Sequence, residues 1–351
     1  MPSHRSISTT TSLTRILVAV AATIVALTLT LAAPAHATAA QSQASAVATP
    51  EDLLTWMSEH PANAGLAVLP DRGRAISYGA ARRYPLASVR KVLVAGRLTA
   101  SGANLSQRVP RASVERFYVP GTDGGAHERA ELHPTRPTLR QLLRATLEVS
   151  DNAAADALLR RVGAPAVDAW ARRQGLTRQD PIYPGLGEFA AWTRVADWTE
   201  RSPLERARLA RALAREVQPS DIRLPEPARQ RAVAASSVAG TPAQWAGLMR
   251  GIARNGDPEL VTALDWPRRK SERVARRFDR YLTKGGSLPG VIAEASYVRP
   301  AGKTGTAVAL FLRDLPPAVE QTLAKTFAQQ DLIARLATDG AFRDRARRVL
   351  G

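Results

Sequence analysis

The sequence predicts a mixed α/β (α+β) fold in two lobes. One is an α/β lobe whose antiparallel sheet, flanked by helices, is built from both ends of the chain; the other is a helical lobe between them. Three observations predict it. Strand patterns cluster near the start and near the end of the chain, and helical periodicity fills the stretch between. Of the 351 residues, 45% are hydrophobic, enough for one sizeable core. No fixed-period repeat or long low-complexity tract interrupts the body.

The first 37 residues read as an export signal rather than as part of the fold. Arg5 and Arg15 make a positive start, an apolar run follows from Ile16 to Ala33, and Ala35-His36-Ala37 supplies the small-x-small pattern of a signal-peptidase site. The alternative is an uncleaved membrane anchor, because the run is nearly long enough to span a bilayer. Thr23, Thr28 and Thr30 within it, and the A-x-A pattern, favour cleavage. Residues 38–49 read as a tether and 50–351 as the domain. Residues 50–87 and about 220–351 are assigned to the α/β lobe, and about 88–219 to the helical lobe.

Thr49-Pro50-Glu51-Asp52 is a helix start, with a cap, a proline in the first turn and acids at the positive dipole end. Ala64 to Leu69 reads as a strand, and Ala75 to Tyr78 as its hairpin partner. Apolar residues then recur at helical spacing over 89–98, 139–147, 153–161 and 204–214. Thr241-Pro242 opens a further helix to about Arg254. Phe278 to Thr283, 288–298 and 305–312 read as strands, and Pro316-Pro317 opens one last long helix carrying Val319, Leu323, Phe327, Leu332 and Leu336.

Ser88-Val89-Arg90-Lys91 opens the apolar helix that runs from Val92 to Leu98. A serine at a helix N-terminus sits where the dipole stabilises negative charge on an attacked oxygen. A lysine three residues on shares its helical face. Desolvated there, the amine can accept a proton near neutral pH, which an arginine cannot do. By itself the pattern also fits a capping serine beside an unrelated surface lysine. Ser150-Asp151-Asn152 opens another helix and presents a hydroxyl suited to relay a proton and an amide suited to hold a substrate amide, with Asp151 bracing the turn.

With both motifs in this order, the chain resembles the serine β-lactamase and penicillin-binding superfamily, and most closely the class A β-lactamases. The resemblance runs from about Asp52 to Ala337 and includes Ala153-Ala154-Ala155 and Val162-Gly163-Ala164-Pro165 after the second motif. It implies a β-lactamase/transpeptidase-like fold with Ser88 as nucleophile at the lobe junction, Lys91 as general base and Ser150 as proton relay. Asn152 and a lysine of a third motif would bind substrate. The implied activity is acyl-enzyme formation on β-lactams, D-alanyl peptides or related amides and esters. The alternative is a non-hydrolytic penicillin- or peptidoglycan-binding or sensing domain.

Two positions depart from the family pattern. The literal K-T-G is Lys303-Thr304-Gly305, but only one strand follows it before the final helix, and Pro300-Ala301-Gly302-Lys303 reads as a tight turn. Lys284-Gly285-Gly286-Ser287 has the downstream layout that the third motif requires, with Gly286 and Ser287 as further binding residues and Gly285 replacing the usual hydroxyl. The class A deacylation glutamate is expected near Tyr183 to Gly185, where no acid stands. Glu188 is the displaced candidate, and it also reads as a plain helix-start acid.

The absence of cysteine excludes a disulfide framework, a thiol nucleophile and a thiolate metal site. His60, His127 and His133 lack metal-ligand spacing, so no metal or cofactor is expected. The net charge of +18 is spread along the chain with few aromatics, which argues against nucleic acid and leaves an anionic wall polymer or membrane surface as counter-charge. A monomer acting on a small-molecule or peptidoglycan-type substrate is expected. The glycine-rich stretch Gly121 to Glu128 should rim the site, with His127 as a hydrogen-bonding loop residue.

Overall fold

The computed structural model describes residues 47–351, so the expected signal and most of the tether lie outside the described residues. Helix α1 (Pro50–Glu59) starts on a capping box: Thr49 Oγ1 accepts from the Asp52 N–H, and the Asp52 carboxylate accepts from the Thr49 N–H. Strands β1 (Ala64–Pro70) and β2 (Ile76–Tyr78) form the expected hairpin, and β3 (Tyr84–Pro85) leads into a short 3₁₀ turn, Ala87–Arg90, ahead of α2 (Lys91–Thr99). The central part of the chain supplies α3 (Leu139–Arg144), α4 (Asn152–Val162), α5 (Gly185–Arg194) and α6 (Pro203–Glu216) among shorter helices. Strand β4 (Ala239–Gly240) pairs with β3, and α7 (Pro242–Asn255) follows.

Strands β5 (Phe278–Leu288), β6 (Val291–Pro300) and β7 (Thr306–Leu312) complete a five-stranded antiparallel sheet in the order β2-β1-β7-β6-β5. The sheet therefore joins both ends of the chain through the β1–β7 pair. Both of its faces are covered, and the alternation of β7 shows how. Ala307, Ala309 and Phe311 enter the core shared with the middle helices, whereas Val308, Leu310 and Leu312 enter the core under α1 and the C-terminal helices. Strand β5 is the free edge.

Two expectations are corrected. The third-motif stretch does not follow a strand; it is the continuation of one, since β5 runs through Lys284 to Leu288 before turning at Gly290. The single last helix is in fact three: α8 (Pro317–Thr326), α9 (Ala328–Thr338) and α10 (Gly340–Leu350). The break is at Phe327, a buried residue in left-handed conformation with φ of 57°. The one i+5 step in the apolar pattern, Phe327 to Leu332, falls at this break, because an uninterrupted helix would keep one stripe with i+3 and i+4 steps.

Close packing of α5 on α6 depends on Gly187. A Cβ at this position would lie 1.9 Å from the Ala210 carbonyl oxygen, a backbone atom that cannot rotate aside. Gly187→Ala should destabilise the fold by about 2 kcal/mol or more, as overpacking does. Urea denaturation should show the lower midpoint; an unchanged midpoint would mean that the two helices separate freely.

Candidate active site

The 3₁₀ turn Ala87–Arg90 begins with Ala87 at φ of 46°, a conformation costly for any residue with a side chain. The turn places Ser88, half-buried, at the wall of a cavity of about 450 Å³. Opposite it runs the edge strand β5. A Cβ at Gly286 would lie 2.5 Å from the Ser88 nitrogen and 2.9 Å from that of Val89, so only glycine lets the strand backbone lie against the turn. Ser287, exposed on the same strand, borders the cavity rim.

Ser150 ends a π-helical turn, Ala145–Val149, and is itself left-handed with φ of 67°. Asp151 then caps α4, its Oδ1 accepting from the Ala154 N–H at 3.1 Å. The corner brings the Ser150 hydroxyl between two buried amines: Lys91 Nζ at 3.2 Å and Lys284 Nζ at 3.0 Å. Lys91 Nζ also donates to the Ser150 carbonyl oxygen and, at 2.6 Å, to Asn152 Oδ1. Asn152 Nδ2 in turn donates to the Thr122 carbonyl oxygen at 3.2 Å, fastening the glycine-rich loop to the site. Lys284 Nζ donates to the Gly285 carbonyl oxygen at 2.5 Å.

Burial dominates both amines. It brings Lys91 down to about 8, with the charge of Asp151 offsetting part of the effect. It holds Lys284 well below the ordinary lysine range, and the charge of Lys91 pushes in the same direction.

Lys284 is thus in the cavity with Ser88, Lys91, Ser150 and Asn152. Lys303 is exposed on the turn between β6 and β7, its N–H bonded to the Pro300 carbonyl oxygen at 3.0 Å. Glu188 borders the cavity, but its carboxylate is committed. Oε2 pairs with Arg90 at 2.6 Å, and Oε1 accepts from Ser237 Oγ at 2.6 Å and from Tyr183 OH at 3.4 Å. Glu188 is 1% exposed. Its surroundings are those of a buried ion pair rather than of a carboxylate free to take a proton from water.

Several groups at the site escaped the sequence reading. Arg90, inside the first motif, stacks over the Tyr183 ring at 5.4 Å while pairing with Glu188. Asp156, one helical turn past Asn152, accepts from the Gly185 and Leu186 N–H groups at 2.9 and 2.8 Å and so caps α5; burial raises it to about 6. Its i+4 spacing from Asn152 was a usable signal. His127 bridges Asp151 Oδ2 at 2.9 Å and Glu115 Oε2 at 3.0 Å. No group of three or more metal-binding side chains occurs among the described residues. No helix there is long and apolar enough to cross a membrane.

The family model described as the Beta-lactamase enzyme family matches residues 49–339. The chain belongs to that family. Comparison with curated proteins gives no significant match. Among solved structures, this β-lactamase family member is similar to a β-lactamase of Sphaerobacter thermophilus (20% identity, 83% of this chain and 98% of the other, TM-score 0.52). It is also similar to one from Chitinophaga pinensis (14% identity, 80% and 99%, TM-score 0.52). A third is a variant of the last common ancestor of Gram-negative bacteria β-lactamase class A (19% identity, 82% and 99%, TM-score 0.52). At such identities the likeness shows the fold, an antiparallel sheet with many helices, and it agrees with the class A resemblance of the sequence motifs.

The His127 bridge makes a pH-dependent brace for this family member's S-D-N corner. Burial lowers the imidazole's affinity for a proton, but the hydrogen bond and charge of Asp151, with help from Glu115, outweigh it and raise His127 from about 6.5 to about 9. A raised group stabilises fully below its unfolded value and loses that contribution as pH climbs through its folded value. The stability gap between wild type and His127→Gln should therefore be largest below pH 6.5 and shrink as pH rises to about 9 and beyond. Urea unfolding of both proteins across that range measures it, and a gap independent of pH would show that the ring is neutral throughout.

Proposed function

We propose that this protein is an exported serine hydrolase that forms an acyl-enzyme on Ser88 with β-lactams, D-alanyl peptides or related amides and esters. The observation that carries the reading is the Ser150 hydroxyl held between Lys91 and Lys284, in the cavity that Ser88 borders. In this reading residues 1–37 are the signal, 38–49 the tether and 50–351 the catalytic domain, acting as a monomer without metal or cofactor. A wall polymer or membrane surface would meet its positive charge.

Lys91, neutral, takes the proton from Ser88 Oγ as that oxygen attacks the carbonyl carbon. Negative charge gathers on the carbonyl oxygen beside the Ser88 N–H, at the start of a helical turn. The carbon–nitrogen bond breaks as Ser150 passes its proton to the leaving nitrogen, and the proton on Lys91 restores Ser150. Asn152 borders the bound substrate, and Lys284, Gly286 and Ser287 hold its leaving-group side. Water would then cleave the ester on Ser88.

That last step sets the second reading. Glu188 is engaged by Arg90 and Ser237, which favours slow release and, at the limit, a penicillin-binding or sensing domain in which the acyl-enzyme persists.

Incubation with a fluorescent penicillin, followed by intact mass over time, separates these. A transient adduct on Ser88 marks a hydrolase and a lasting one marks the sensor. No adduct, or an equal one in Ser88→Ala, overturns the reading. The acylation rate should rise with pH and level off above about 8, because Lys91 must shed its proton to act. Lys91→Arg should slow acylation by about 100-fold or more, since the guanidinium stays charged. Stopped-flow fluorescence across pH tests both, and a flat profile would remove Lys91 from the base role.

A further inference from the structure

The cavity does not end at the catalytic face of the sheet. It continues over the free edge at β5, where Gly285 borders it together with Glu294, Gln329 and Gln330. Gly285 and Glu294 are direct cross-strand partners, so their Cα substituents point to the same face, the one opposite Lys284 and Gly286. A Cβ built on Gly285 meets nothing within 4 Å. The edge strand therefore leaves an open space, walled by Glu294, that connects with the space around Ser88.

The wall of this space consists of acceptors. Glu294 is 5% exposed; Thr283 Oγ1 donates to its Oε1 at 3.0 Å, and Thr283 and Ser296 share a hydroxyl–hydroxyl bond of 2.8 Å. Among the described residues no cation pairs with Glu294, so an ionised carboxylate there lacks the counter-charge that burial demands. Burial accordingly raises it to about 7. Gln329, on α9, is 2% exposed, and its Oε1 has no hydrogen-bond partner. A buried carboxylate with spare lone pairs and a buried orphan carbonyl, side by side on one cavity, are what a hydrogen-bond donor would complete.

We propose that the space over Gly285 is a specificity subsite for a donor group, a primary carboxamide or an ammonium, on the leaving-group side of the substrate. The proposal rests on the acylation of Ser88 argued above. A substrate carboxylate at this subsite meets Glu294 and Gln329 acceptors and is disfavoured there; a donor satisfies both. Gly285 is the determinant that keeps the space open, and Glu294 is the determinant of sign.

Paired acyl thioesters test this, identical in acyl group but carrying as leaving thiol either an ω-mercapto carboxamide or the nearly isosteric ω-mercapto carboxylate, with two- and four-carbon spacers. Intact mass measures the rate of Ser88 acylation. At one spacer length or both, wild type should acylate from the carboxamide at least about tenfold faster, one hydrogen bond's worth of discrimination. Glu294→Gln should abolish that preference, and so should Gly285→Val, which fills the space from the solvent edge and serves if the buried substitution fails to fold. Equal rates, a preference for the carboxylate, or a preference surviving in the folded variants overturns the subsite while leaving the acylation reading intact. An absence of Ser88 adduct with every thioester and with penicillin overturns both.

Discussion

Two amines out of water that share one hydroxyl cannot both keep their protons. Each loses hydration on burial, and the charge of one raises the cost of charging the other. A neutral lysine follows from that arrangement without any dedicated acid or base to create it. The geometry needs three separate parts of the chain: the first turn of α2, the S-D-N corner and the edge of the sheet. Both non-glycine residues held in left-handed backbone at this junction, Ala87 and Ser150, flank the shared proton path. Such conformations cost about 1–3 kcal/mol each and persist only where surrounding packing fixes them. Here Val238 fastens the turn through Leu86, and Ala145 fastens the corner through Asp151.

Lysine and arginine are divided by task. The chain has five lysines beside its many arginines, and three of them, Lys91, Lys270 and Lys284, border the cavity. Arginine takes the positions where a permanent charge is wanted, as in the Arg90 pair with Glu188 or the Arg211 pair with Asp168. The residue able to lose its proton is concentrated where protons would move. Arg90 is the instructive neighbour: one residue before Lys91, it is buried on the other side of the turn and locks the α5 region in place.

The serine, the lysine one turn later and the S-D-N corner could be read in the sequence because local spacing determines their placement. Lys284 could be preferred over Lys303 because strand count fixes where an edge lies, and the β-lactamase fold has that layout. What the sequence concealed depends on partners distant along the chain. Nothing near Glu188 announces Arg90, and nothing near Asp151 announces the His127 bridge to Glu115. Glu294 did leave a trace, as a lone acid in the run Val291-Ile292-Ala293-Glu294-Ala295. The break at Phe327 left one too, in the irregular step of the apolar stripe, but a single step is easily absorbed into a long helix.

Because β1 and β7 are zipped together from opposite ends of the chain, no amino-terminal fragment of this protein can own a finished cleft. The nucleophile turn is made early in synthesis, yet the strand that backs it, β5, gains its own support only when β6 and β7 have joined β1. Contacts so distant along the chain close late and slowly. A chain cut or stalled anywhere before Thr306 would hold Ser88 and Lys91 without the wall that makes them reactive, so acylating power arrives all at once, with the last strand.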